Sequence, residues 1–447
     1  MIEFLLKVFK ENANDDAIIW RDRSFSYQWL HERVLEWQQA LIKNNVLPGS
    51  VVILEADFSP NAIALFLALI EQCCILVPLT KSVEAKKAEF IEIAEGEMRI
   101  VIAEDDSVVF DRLPHHATHS LYAVLRARRH PGLILFSSGS TGKSKAALHD
   151  LTGILEKFKV RRHKQRTITF LLYDHIGGVN TMLHTLSNGG CIVTVQERSP
   201  EKVLEAIEKH RVELLPTSPT FINMILLSEA YKHYDLSSLK MVTYGTEPMP
   251  ESTLKRFHEL FPHITLQQTY GLSEVGILRS KSKSSDSLWV RLGGEGFETR
   301  VVDGILHIKA QSAMLGYLNA PSPFTEDGWF ITGDEVEVDG EYFRILGRRS
   351  ELINVGGEKV YPAEVESVIQ QVDNVAEVVV YGEKNPITGS IVCADVRLRE
   401  AEDPKAAALR IKKYCRAHMP AFKVPVKVNI VDEDLHGERF KKMRLRS

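Results

Sequence analysis

The segment LILFSSGSTGKSKAALHD holds the residues best suited to chemistry. A short apolar run, Leu133 to Phe136, leads into Ser137, Ser138, Gly139, Ser140, Thr141, Gly142, Lys143, Ser144 and Lys145. Small residues let backbone N–H groups approach phosphate oxygens closely, and hydroxyls add donors. Lys143 and Lys145 supply positive charge. The pattern is not a Walker P-loop, because Ser137 stands where that motif needs its first glycine, five residues before Gly142. A flexible Ser/Gly linker does not fit either, since a buried-strand pattern precedes the stretch and an apolar one follows it. Phosphate binding is the chemistry that fits.

Such a loop needs a strand behind it and a sheet around that strand. SVVILEA and CCILVPL are short apolar runs that predict strands buried on both faces, with NAIALFLALIE as the helix between them. The β-α-β alternation recurs in GCIVTVQ, SPEKVLEAIEKHRV and ELLPTSP, and predicts parallel sheet covered by helices. From about residue 290 the texture turns to short strands broken by Gly and Asp-Gly, with hairpins at VDGIL and VDGEYF. After Arg348 a compact helix-and-strand tail follows, which places a hinge near Gly347 to Ser350. The predicted fold is α/β: a large N-terminal domain of layered β-sheets and helices, residues 1–348, and a small mobile C-terminal α+β domain, residues 349–447.

The 447 residues are 44% hydrophobic and 26% charged, which suits a multi-domain globular protein. Lys and Arg total 55 against 59 Asp and Glu, a net charge of -4, so neither a nucleic acid nor a membrane surface is an expected partner. No apolar run approaches the roughly 18 residues of a membrane span. The five cysteines show no CxxC spacing and predict ordinary buried thiols in a cytoplasmic setting.

SSGSTGKSK resembles the phosphate loop of the adenylate-forming superfamily, which includes acyl- and aryl-CoA ligases and the adenylation domains of peptide synthetases. Further blocks follow in that family's order. YGTEPMP, with Gly245, Thr246, Glu247 and Pro248, resembles its adenine-contacting strand end. TYGLSEVG resembles its most diagnostic block. There the resemblance implies that Tyr270 stacks on adenine, Thr269 contacts the α-phosphate and Glu274, with Thr141, serves Mg²⁺; Ser273 replaces a common Thr and keeps the hydroxyl, and Gly271 is a pocket candidate. DGWFITGDEVEVDGEYFRILGRR resembles the ribose-binding block, with Asp334 accepting from ribose hydroxyls and Arg348 assisting. INVGGEKVYPAEVE resembles the loop that opens the mobile domain.

The residue chemistry agrees with these roles. An aromatic face makes a platform for a base. A lone carboxylate beside a triphosphate calls for a cation, and an Asp that accepts from two hydroxyls makes charge-assisted bonds.

FLLYDHIGGVNTMLHTL resembles the block lining the acid pocket. His175 falls where many relatives carry a His near the carboxylate, and Asp174 leaves open a contact to a substrate amine. Alternatively, both residues cap a helix starting near Gly178. Gly178 would leave room for a ring or chain, and Thr217, Phe221 and Tyr244 are further pocket candidates by resemblance.

The family's terminal catalytic lysine follows a glycine. Aligning Phe440 to that glycine gives Lys441, with Lys442 as its rival. The resemblance implies ATP, Mg²⁺ and coenzyme A, a small carboxylic acid substrate, and acyl-AMP followed by thioester formation. In a second half-reaction the Gly356-Gly357 loop would replace the lysine. Two other readings stay open: loading of an acyl carrier protein through its phosphopantetheine, and a nucleotide-binding homologue that has lost the chemistry.

Overall fold

The computed structural model describes residues 1–138, 144–437 and 440–443, and for Ser138 the backbone alone. Two seven-stranded sheets form the body. In the first, Thr265–Gln268, Met241–Tyr244, Leu214–Thr217, Arg166–Ile168, Cys191–Val193 and Asp16–Trp20 lie side by side in parallel, and Arg23–Ser26 closes the edge as an antiparallel hairpin. The second has Gly132–Ser138, Ile75–Leu79, Val51–Glu55 and Met98–Ile102 in parallel at its centre, with antiparallel strands on both flanks. The parallel centre explains why SVVILEA and CCILVPL lack alternation: both faces are covered.

Helices lie between the two sheets. Pro60–Glu71 is apolar all round, with Ser59 accepting from Ala62 N–H and Pro60 in the first turn. One buried cluster draws Ile18 and Ile192 from the first sheet, Leu54 and Leu135 from the second, and Phe66 and Leu183 from the helices. Fully burying side chains of this kind contributes on the order of 1.5–3 kcal/mol each. The two sheets therefore share a core, where the sequence reading predicts parallel sheet without resolving two.

A third, antiparallel sheet of six strands follows, from Arg279–Ser282 to Tyr342–Arg348. Its hairpin between Phe297–Val302 and Ile305–Ala310 turns on Asp303 and Gly304, both at positive φ (49° and 75°), as a two-residue hairpin turn requires. The strand Tyr342–Arg348 gives way to a single turn, Arg349–Glu351, and Ile353 begins a separate five-stranded sheet. That last sheet packs the helices Pro362–Ile369 and Pro404–His418 around Val365, Val380, Ala394 and Ile411. No helix among the described residues is long and apolar enough to cross a membrane.

Candidate active site

The strand Gly132–Ser138 delivers Ser137 to the wall of a cavity of about 770 Å³. Its antiparallel partner Ser144–Asp150 leads away and pairs on its other edge with Gly316–Tyr317. This pairing joins the loop to the Tyr-Gly-Leu-Ser-Glu stretch. Tyr317 Oη donates to Glu274 Oε1 at 2.6 Å, and Met314 N–H donates to the Glu274 carbonyl at 2.8 Å. His149, fully buried on the outgoing strand, donates from Nε2 to the Ser273 carbonyl, and burial holds its pKa below the usual imidazole range. Ser137, Ser273 and Glu274 therefore face one cavity although they are far apart in the chain.

Thr217, Gly245 and Thr246 reach the same cavity from the C-terminal ends of adjacent parallel strands, where open sheets of this kind commonly bind ligands. Gly245 is required there, because a Cβ would stand 2.8 Å from both the carbonyl and the hydroxyl oxygen of Thr269. Thr246 takes φ of 73°, a strained conformation for a β-branched residue, at the point where the chain leaves the sheet for the cavity. Thr269 and Gly271 line the wall, and Thr269 Oγ1 donates to the Tyr244 carbonyl at 3.0 Å.

Tyr270 and Asp334 sit just behind this wall. The Tyr270 hydroxyl donates to Asp334 Oδ2, and Arg348, which lines the cavity, brings Nε to 3.5 Å from Asp334 Oδ1. Burial raises the Asp334 pKa, against the pull of Arg348, the Tyr270 hydrogen bond and nearby Lys441. Burial, reinforced by the neighbouring carboxylate, pushes the Tyr270 phenol well up.

His175 is both cap and wall. It precedes the helix Ile176–Ser187, and its Nδ1 accepts the Gly177 N–H at 3.0 Å, while the ring borders the cavity. An accepting Nδ1 leaves the proton on Nε2.

The C-terminal tail completes the site. Lys441 lies on the cavity wall next to the Asp334–Arg348 pair. Lys442 turns the other way. Its Nζ pairs with the buried Glu366 at 2.8 Å, and its N–H donates to Glu247 Oε2 at 3.1 Å. Between Lys441 and the tail's last turn, Phe440 takes φ of 49° and seats its ring 5.2 Å from both Phe170 and Phe221. A phenylalanine here occupies backbone geometry that favours glycine, and the aromatic seat offsets the strain.

Several expectations need correction. Asp174 does not line the cavity; its buried carboxylate accepts from Thr80 Oγ1 at 2.9 Å. Gly178 makes no room for a substrate, because a Cβ there would fall 2.0 Å from the Leu172 carbonyl: it permits close packing of helix on loop. Phe221 and Tyr244 are buried in the core beneath the sheet. Glu247 accepts from Thr220 N–H at 2.8 Å, besides Lys442 N–H, so its carboxylate braces the tail and is off the cavity wall. Pro248 is likewise off the wall. Lys145 extends over the Tyr317 ring at 5.3 Å. Gly356 and Gly357 form a turn in the C-terminal sheet, away from the cavity. Gly139, Ser140, Thr141, Gly142 and Lys143, and the Ser138 side chain, lie outside the described residues.

The sequence reading did not find Lys157, Asn180, His184 and Arg279, which line the cavity's far part. The signal available was the one-face spacing of Gly177, Asn180, Thr181 and His184 along one helix.

Residues 6–318 match the family described as AMP-binding enzyme, and residues 364–441 match the AMP-binding enzyme C-terminal domain. An indoleacetate–CoA ligase from Aromatoleum aromaticum is 29% identical over 330 residues, 68% of this chain; the chain spans 64% of that relative's length. A feruloyl-CoA synthase from an Amycolatopsis species is 25% identical, covering 92% of this chain and 90% of its own. Among solved structures, an anthranilate CoA ligase in complex with anthranoyl-AMP superposes with a TM-score of 0.80 at 21% identity, over 96% of this chain and 93% of its own, which is a likeness of fold.

Proposed function

The chain belongs to the AMP-binding enzyme family, and on that premise we propose that it is an acid–thiol ligase. It joins a carboxylic acid to AMP at the expense of ATP, then passes the acyl group to the thiol of coenzyme A. The observation that carries this reading is the convergence on one cavity of Ser137, Thr246, Thr269, Glu274, Arg348 and Lys441, drawn from five separate stretches of chain.

In the first half-reaction a carboxylate oxygen attacks the α-phosphorus and pyrophosphate leaves. His175 borders the cavity, and its ring can orient the acid's carboxylate. Lys441 meets the negative charge that develops on the oxygens around phosphorus, an effect strongest where the cation is pre-positioned. Asp334, behind the wall with Tyr270, holds Arg348, which lines the cavity and can meet the ribose end of the nucleotide.

Glu274 suits a Mg²⁺ ion held mainly by phosphate oxygens and water. It is one carboxylate at the wall, and no group of three or more His, Cys, Asp or Glu among the described residues could hold a metal alone. When bound, the cation offsets charge on the phosphates.

In the second half-reaction the C-terminal part turns about Arg349–Glu351, with Ser350 at its centre, and brings the Gly356-Gly357 turn to the cavity. Neither glycine has a neighbour within 4 Å of its would-be Cβ, so the turn can admit a thiol arm.

ATP–pyrophosphate exchange across a panel of aryl, alkyl and amino acids, followed by a product assay, tests the reading. Exchange followed by acyl-CoA release is expected. Exchange with no acid overturns it. Product found only on a phosphopantetheinyl protein would move the acceptor to a carrier.

A further inference from the structure

The cavity extends well past the groups that the nucleotide and one carboxylate need. Its floor is one face of the first sheet. Pro216, Thr243 and Gln267 point into it, while Leu215, Val242 and Leu266 point into the core behind. At about 3.3 Å per residue, the run from Met241 to Gly245 carries the floor roughly 13 Å from the strand ends back to the strand starts. The roof is the helix Ile176–Ser187, with Gly177, Asn180, Thr181 and His184 on one face. His175 and His184 stand roughly 13 Å apart along the helix axis at 1.5 Å per residue. The two lengths agree, so floor and roof enclose one elongated slot.

The two ends of the slot differ in charge. Glu274, at the nucleotide end, is the one carboxylate among the described residues that line it. The far part is lined by Lys157, Arg162, His163, His184, Arg279 and Lys281. No salt bridge joins Lys157, Arg162, Arg279 or Lys281 to any carboxylate among the described residues.

Lys157 is the innermost of these cations. Its Nζ donates to Asn180 Oδ1 at 2.5 Å and to the Ile277 carbonyl at 3.1 Å, two neutral acceptors. Burial, aided by the charge of Arg279, pulls its pKa down to about 7. Burial and the charges of Lys157, Arg162 and His163 hold His184 down to about 4. Arg162, His163 and Lys281 are exposed, whereas Lys157 and Arg279 are half-buried, and a desolvated ammonium without a counter-charge is costly to keep. A bound anion would relieve that cost and favour the charged form of Lys157, and it would meet beside it one planar fork able to hold a carboxylate.

We infer that the acid this protein activates carries a second carboxylate at its far end, seated between Lys157 and Arg279. This inference rests on the reading of the cavity as the acid-activating site. It names the substrate class as an elongated dicarboxylic acid whose two carboxylates are separated by most of the slot's length.

The test is pyrophosphate exchange by the full chain with α,ω-dicarboxylic acids of increasing length. The monocarboxylic acids of equal length and the monomethyl esters of the diacids are run beside them. At the best length, kcat/KM for the diacid should exceed that for its monoacid and its ester by at least tenfold, mostly through KM. Arg279→Gln, and separately Lys157→Met, should collapse that diacid-to-monoacid ratio toward one; a change of ratio is not what a loss of folded protein produces. Equal kcat/KM for diacids and monoacids in the unaltered chain overturns the inference while leaving the ligase reading intact. A ratio unmoved in both variants also overturns it. Exchange with no acid at all overturns the ligase reading itself, and the inference with it.

Discussion

The two ends of the slot solve opposite problems. At the end where ATP is proposed to bind, the charged groups are already engaged. Glu274 accepts from Tyr317, and Asp334 accepts from Tyr270 beside Arg348. At the far end Lys157 has only neutral acceptors and a cationic neighbour. Groups that satisfy one another hold a fixed geometry before any ligand arrives, which is what a reacting centre needs. Cations held apart from any carboxylate leave their strongest interaction to the ligand, which is how discrimination between ligands is obtained. The first end should therefore serve every acid alike, and the second should tell acids apart.

The sharpest way to break that contrast is Lys441→Ala. Acyl-AMP formation in single-turnover assays should fall about 10²–10³-fold, by the same factor for every acid, while thioester formation from supplied acyl-AMP is retained. A loss that depends on the acid would join the two ends functionally. Next in size is Glu274→Gln, expected to weaken the apparent affinity for Mg²⁺-ATP by about tenfold, as removal of one charged contact does. A Mg²⁺ titration that superposes on that of the unaltered chain would remove Glu274 from the metal role.

Phe440→Ala should have a smaller effect. Each aromatic contact it removes is worth about 0.5–1.5 kcal/mol, so the first half-reaction should slow several-fold with KM for the acid unchanged. Faster proteolysis of the tail would report the loosened seat directly.

The smallest expected effect is the pH dependence of tail docking. Glu377 is pulled down to about 2: burial would raise it, but hydrogen bonds from His436 and Arg397 prevail. The same Glu377 hydrogen bond raises His436 above its ordinary 6.5, against burial. A lowered carboxylate stabilises the fold above its ordinary 4.5 and loses that contribution as pH falls toward 2; a raised imidazole stabilises below 6.5 and loses its contribution as pH climbs through the raised value. Melting temperature should accordingly decline on both sides of mildly acidic pH. His436→Gln should remove the alkaline limb and shrink the acid one, because the Glu377 shift draws on the same pair.

The contrast between the ends also governed what the sequence revealed. Ser137, Thr246, Thr269, Glu274 and Arg348 lie in contiguous blocks of sequence, so they could be singled out before any fold was known, and all five line the cavity. The far end is assembled from side chains on elements that meet only in three dimensions. Lys157 and Arg162 belong to the run EKFKVRRHKQR, which reads as a solvated basic stretch. Motif membership misled in the opposite direction for Glu247 and Asp174, whose carboxylates turn to Thr220, Lys442 N–H and Thr80. Position in a block fixes the backbone, whereas the direction of a side chain is decided by whichever donors surround it. The two parallel-centred sheets were legible as strands and helices, but their division was not, because apolar runs buried on both faces look alike in either sheet.

The seat of Phe440 between Phe170 and Phe221 has a mechanical corollary. The ring and Lys441 are adjacent in the chain, so the lysine cannot withdraw from the reacting centre without the ring leaving its socket. If the C-terminal part turns as proposed, arrival of the cation and seating of the ring are a single event.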